Sequence, residues 1–151
     1  MVALFQPSIQ PHWGSLSFVS TLYLCPILDR LMDKVPRKWQ PEVRLGLQEA
    51  LVNAVTHGNR LDPHKVISVR YKASGNRYWW IIEDQGGGFD FENCCCDCAH
   101  EVGPDAAAVD ECGRGPYILN QIFDEVQWTR GGRELHLSKR IHRWFSLPLV
   151  C

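Results

Sequence analysis

No run of apolar residues in this chain approaches the roughly 20 that a membrane-crossing helix needs, so an integral membrane protein is not expected. An excess of either charge is also missing. Sixteen basic residues face 17 acidic ones, for a net charge of −1, and no basic footprint for DNA or RNA is present. The stretch Met1 to Gly14 has no Lys or Arg and is broken by Pro7, Pro11 and Gly14, which argues against a secretory signal and for a cytoplasmic protein. Internal repeats and long linkers are absent as well. Cysteine is present in number but not in a disulfide pattern. Of the seven cysteines, Cys94, Cys95, Cys96 and Cys98 crowd into one short segment, the total is odd, and neighbouring cysteines rarely reach the separation a disulfide prefers. They read as reduced thiols. With His100 and Cys112 they offer soft ligands, but two separated CxxC pairs are lacking and no structural zinc is expected.

What is there suits one domain. The chain has 151 residues, 45% hydrophobic and 22% charged, an ordinary balance for a globular protein with one core. Residues 1–14 read as a lead-in, 15–145 as the domain and 146–151 as a tail. Ser15 to Leu24 is rich in strand formers. Pro26 opens a helix whose apolar stripe is Ile27, Leu28, Leu31, Met32 and Val35, and Pro36 ends it. A second helix starts at Pro41 and buries Val43, Leu47, Ala50, Leu51 and Ala54, with Gly58 and Asn59 as a left-handed stop. Strands follow at 65–72 and 77–83, joined around Ser74-Gly75-Asn76; the second, with Tyr78, Trp79, Trp80, Ile81 and Ile82, reads as buried on both faces. Beyond the glycine-rich run 84–90 and an irregular stretch 91–112, a short helix over about 116–123 precedes a hairpin of 125–130 and 133–140 turning at Gly131-Gly132. This order predicts an α+β two-layer sandwich, with helices covering one face of a mixed or antiparallel sheet.

Three patches could carry chemistry. On the second helix, Glu49, Asn53 and His57 recur at four-residue spacing and so share a face. A carboxylate there can take a proton, and an amide oxygen can ligate Mg²⁺. Asp84 ends an apolar strand and leads Gly86, Gly87 and Gly88; such an Asp can accept a hydrogen bond from an exocyclic amine. Gly113-Arg114-Gly115 opens a helix, where free backbone N–H groups and an arginine suit an anion. It is not a P-loop, because Pro116-Tyr117 stands where Lys-Ser/Thr would be needed. Singly, each patch also reads as a solvated helix face, an ordinary turn or a plain connection. His12, His64, His136 and His142 show no partner pattern and read as surface residues.

In this order the three patches resemble the N, G1 and G2 boxes of the gyrase/histidine-kinase-like (GHKL) ATPases: LGLQEALVNAVTHGN at 45–59, WWIIEDQGGGFD at 79–90 and ECGRGPYILNQIFDEV at 111–126. The resemblance covers residues 15–140. Within that superfamily the chain is similar to the bacterial anti-sigma-factor serine kinases, whose E-A-x-x-N-A-x-x-H-G pattern is reproduced by Glu49, Ala50, Asn53, Ala54, His57 and Gly58. No long coiled-coil pattern of the sensor-kinase kind is present. The resemblance implies ATP and Mg²⁺ as cofactors, Glu49 as catalytic base, Asn53 as the Mg²⁺ ligand and Asp84 as the adenine reader. His57, Gly86, Gly88, Gly113, Arg114 and Gly115 complete the expected nucleotide-binding set. It also implies phosphorylation of a Ser or Thr on a STAS-type anti-sigma-factor antagonist, a sigma factor as second partner, and a homodimer. Two departures stand out. Glu111-Cys112 occupies a place where the family often has an arginine, and an acid there repels phosphate. Pro116 replaces a large apolar residue. The alternatives are an ATP-dependent partner-binding module without turnover, or a histidine-kinase-type ATPase domain acting in trans.

Overall fold

The computed structural model describes residues 12–88 and 114–141. The cysteine cluster at 94–98, Glu111, Cys112, Gly113 and the 146–151 tail therefore lie outside the described residues. Strand β1 (Gly14–Val19) opens the described chain. Its Leu16 and Phe18 pack on the core while Ser15, Ser17 and Val19 are exposed, the period of two of a half-buried strand. The strand stops short of the expected Leu24. Ser20 N–H still reaches the Lys65 carbonyl, but the Thr21 hydroxyl then takes the Tyr23 N–H, and Leu24 turns inward to accept the first helical bond, from Leu28. A local side-chain bond has displaced the ladder.

Helix α1 (Cys25–Met32) carries Pro26 in its first turn, where a missing N–H costs nothing. Its stripe of Leu28, Leu31 and Met32 is buried as expected, and Val35 joins it. Extended backbone at Pro36 breaks the path before a single 3-10 turn leads into α2 (Gln40–Asn53). Val43, Leu47, Ala50 and Leu51 of α2 are fully buried. A leucine or valine so placed contributes about 1.5–3 kcal/mol through burial. The last turn of the helix widens. Residues Ala54–Gly58 form a π-turn, with Asn59 N–H on the Ala54 carbonyl and Leu61 N–H on that of Val55. The left-handed residues are consequently Arg60 (φ 56°) and Leu61 (φ 59°), not Gly58 and Asn59. The expected stop is thus displaced by the extra residue in the turn.

Strands β2 (Val66–Ser74) and β3 (Arg77–Glu83) pair antiparallel, with Ser74 opposite Arg77 and a two-residue turn between them. Gly75, at φ 60°, supplies the positive dihedral that this turn requires. Helix α3 (Arg114–Ile122) begins two residues before the expected Pro116. Strands β4 (Glu125–Thr129) and β5 (Glu134–Arg140) follow, joined by a short turn at Arg130–Gly132. Sheet order is β1-β2-β3-β5-β4, and every pairing is antiparallel.

Tyr78, Trp80 and Ile82 of β3 face the helices, together with Val69 of β2 and Leu135 and Leu137 of β5. Burial of β3 on both faces holds for Ile81 but only in part for Trp79. The Trp79 ring is covered by Lys72, 5.1 Å from its centroid, and by Arg77 at 5.7 Å. Among the described residues, cations rather than a second helix layer shield this face. The result is the α+β two-layer sandwich expected. Helices α2 and α3 approach closely, and a methyl group on Gly46 would strike the Phe123 ring. Nearly buried Lys139 fixes α3 from below. Its ammonium bonds the Ile122 carbonyl and, at 2.8 Å, Glu42 of α2, and it lies 5.3 Å from the Trp39 ring. A cation on the last carbonyls of a helix is favoured by the helix dipole.

Candidate functional site

The C-terminal half of α2 and its π-turn form the floor of the site. Glu49 and Asn53 are half-buried on one side of the helix. Helix α3 meets them at its first turn. A methyl group on Gly115 would sit 2.6 Å from Asn53 Nδ2 and 3.0 Å from Glu49 Oε1. Only a residue without a side chain lets the α3 backbone approach both groups this closely. Among the described residues, the Glu49 carboxylate has no hydrogen bond or ion pair. Arg114 is the first residue of α3.

About one and a half turns further, roughly 7 Å along the axis, Gly58 meets Asp84. A Cβ at Gly58 would collide with the Asp84 carboxylate, and one at Gly86 would collide with the Gly58 carbonyl. Gly58 is therefore small for the sake of Asp84, not for a left-handed stop. Asp84 is 9% exposed. Its backbone N–H extends the sheet to the Arg133 carbonyl at 3.0 Å, and its Oδ1 accepts the Gly86 N–H at 2.7 Å. Burial pushes its carboxyl above the usual range, although the Gly86 bond and the charges of Arg133 and Lys65 oppose this. Gly88, at φ 89°, packs on the β4–β5 turn, where a side chain would strike the Gly131 carbonyl.

The fold thus brings together Glu49, Asn53, Asp84, Gly86 and Gly115 on one helix and the two segments laid against it. His57 is exposed in the π-turn and makes no side-chain hydrogen bond or ion pair among the described residues. The extra residue of that turn breaks the four-residue spacing that would have continued the stripe. Sequence reasoning missed Asn59, which is fully buried beside the Asp84 loop, and Arg133 and Lys65, whose charges reach Asp84. A fully buried asparagine after a His-Gly pair has no periodic signature to betray it. It also missed the role of His136. That ring is half-buried on the opposite sheet face and bonded to Glu134 at 2.7 Å, so it is not a plain surface residue.

As a donor set, an amide and a carboxylate against a helix N-terminus suit a hard cation and a phosphate. A buried carboxylate with one oxygen already engaged suits a single amine donor. The profile of the histidine kinase-like ATPase domain matches residues 27–139, and the chain belongs to this family. Membership implies ATP binding. Among curated proteins it is similar to the serine-protein kinase RsbW of Bacillus subtilis (strain 168), with 28% identity over 91 residues, 57% of this chain and 54% of the relative. RsbW of Bacillus licheniformis is 30% identical over the same shares. RsbW of Bacillus velezensis is 29% identical, again over 57% and 54%. The chain thus spans about half the length of the curated relatives it matches. Among the described residues no helix is long and apolar enough to cross a membrane.

Proposed function

We propose that this chain is a protein serine/threonine kinase that binds Mg-ATP between α2, the Asp84 loop and the start of α3. Its substrate would be a STAS-type anti-sigma-factor antagonist, and its second partner a sigma factor held while the antagonist is phosphorylated. We place it in the cytoplasm, as a homodimer whose domain runs over 15–145. The observation that carries the reading is the close seat of Gly115 on both Glu49 and Asn53, while Asp84 is buried against the same helix.

In this reading Asp84 accepts the adenine exocyclic amine on Oδ2, since Oδ1 is held by Gly86 N–H. Gly86 and Gly88 let the backbone approach the base, and Gly113, Arg114 and Gly115 present the helix start to the phosphates. His57 would join this set from the π-turn. Asn53 would hold Mg²⁺ through its amide oxygen, and the ion would supply neutralisation of phosphate charge. Glu49 draws the proton from the acceptor hydroxyl. The hydroxyl oxygen bonds to the γ-phosphorus, the bond to the β–γ bridging oxygen breaks, and ADP leaves.

The test is paired. Glu49→Gln keeps size and most hydrogen bonding but cannot act as a base. It should bind Mg-ATP within about twofold of wild type by calorimetry, yet lose transfer to the antagonist by about 10²-fold or more, read by mass spectrometry. A wild type that never transfers, but captures the antagonist only with ATP present, would install the partner-binding module instead. A Glu49→Gln protein that transfers at the wild-type rate would remove Glu49 as the base.

A further inference from the structure

The structure assigns Asn59 as the positioning residue that holds Asp84 in register for a nucleotide base, an inference that rests on the ATP reading above. Asn59 is 0% exposed, and both its amide nitrogen and its amide oxygen are engaged. Nδ2 donates to Ser20 Oγ at 2.7 Å and to the Val66 carbonyl at 3.2 Å. Oδ1 accepts the Gln85 backbone N–H at 2.7 Å. Gln85 returns the link, its Oε1 accepting the Val66 N–H at 2.7 Å. The end of β1, the start of β2 and the turn after β3 therefore meet on one side chain that leaves the π-turn of α2. The amide can sit only one way round. Reversed, it would set its oxygen against the Val66 carbonyl and its NH₂ against the Gln85 N–H.

What this ring holds is the residue after Asp84. Asp84 Oδ1 is occupied by Gly86, and Gly58 leaves no slack beneath the carboxylate. The direction of the remaining oxygen is then set by the path of the Asp84-Gln85-Gly86 backbone, and Asn59 is the side chain that pins that path from the helix. Without it the Gln85 N–H loses a buried acceptor, and the turn must rotate to find another. A carboxylate displaced in this way loses its alignment with an adenine amine. It loses nothing toward guanine, which presents an acceptor at the same place.

The experiment reads this discrimination. Asn59→Ala should weaken ATP by about 10-fold, the scale of one buried hydrogen bond, and leave GTP within about twofold. The ATP-to-GTP preference therefore falls by about 10-fold. Leu28→Ala, a core truncation in α1, serves as a destabilised reference and should keep the wild-type preference. A merely structural Asn59 would behave like Leu28→Ala, and that result overturns the inference. Amide exchange by NMR without nucleotide gives an independent reading. The Gln85 N–H should be protected in wild type and lose protection selectively in Asn59→Ala. If Asn59→Ala does not fold, Asn59→Ser is measured in its place; its hydroxyl is too short to reach Gln85. Fast Gln85 exchange in wild type overturns the anchor itself. A wild type with a protected Gln85 that binds neither nucleotide overturns the ATP reading, leaving the anchor without its function.

Discussion

Two buried carboxylates lie one step apart in the sheet and live in opposite circumstances. Asp84 follows Glu83, which pairs with Glu134, and the Asp84 N–H bonds the residue before Glu134. Both are under a tenth exposed, Asp84 at 9% and Glu134 at 5%. Glu134 turns to the outer face and is fully served. Arg70 bonds it at 3.1 Å, His136 at 2.7 Å and the Thr129 hydroxyl at 3.1 Å, and Arg130 lies at 3.7 Å. Its burial opposes ionisation, yet the His136 and Thr129 bonds and the Arg130 charge hold its carboxyl below the usual range. Asp84 turns to the helices and, among the described residues, receives one backbone N–H on its side chain, and burial pushes its carboxyl up. A fully paired buried acid stabilises the fold. One left short can serve something that comes from outside, and perturbed groups in such places are where function concentrates.

Exchanging each acid for its amide breaks the comparison most sharply. Asp84→Asn should lose about 10²-fold in ATP affinity, roughly 2.7 kcal/mol, because the amide offers no charge and must rotate to present its oxygen. Its melting temperature should hold or rise, since a costly buried charge is gone. Calorimetry and a thermal melt check both halves; equal affinity in the two proteins would take Asp84 out of the site. Glu134→Gln should do the reverse. Losing the charge that Arg70 and His136 serve should cost about 1–3 kcal/mol of stability, read by urea denaturation, with ATP affinity unchanged. A Glu134→Gln protein that keeps its stability but loses ATP would mean that the two acids form one unit.

Much of this arrangement is legible in the order of residues. The stripe Val43, Leu47, Ala50, Leu51 and the turn at Gly75-Asn76 follow from periodicity and glycine chemistry, which act within a few residues. Proline placement marks the starts of α1 and α2 for the same reason. What stays hidden depends on contacts distant in sequence. Gly58 looks like a helix stop, but its small size answers to Asp84, 26 positions on. The π-turn has no local signature, and with it His57 leaves the stripe while Asn59 enters the interior. Glu134 gives no sign that Arg70 will meet it, because strand register, not spacing, brings them together. Thr21 ends β1 through one hydroxyl bond that propensity does not count.

Acid titration gives the smallest effect and the finest distinction, because the two carboxyls shift in opposite directions. Between the ordinary aspartate value of 3.8 and the higher value in the fold, native Asp84 binds more protons than the unfolded chain does. Its contribution to stability is therefore present below 3.8 and is lost as pH rises through the folded value. Glu134 runs the other way. Its contribution is present above the ordinary glutamate value of 4.5 and is lost as pH falls through its lower folded value. In urea denaturation from about pH 3 to pH 7, the stability of Asp84→Asn relative to wild type should thus improve as pH rises above 3.8. The penalty of Glu134→Gln should instead shrink as pH falls below 4.5. ATP affinity of the wild type adds a separate reading, falling as Asp84 takes up its proton, since a protonated Oδ2 can no longer accept the amine hydrogen at full strength. Two difference curves of the same slope would mean that the sheet treats both acids alike, and the contrast between a satisfied carboxylate and a reserved one would fail.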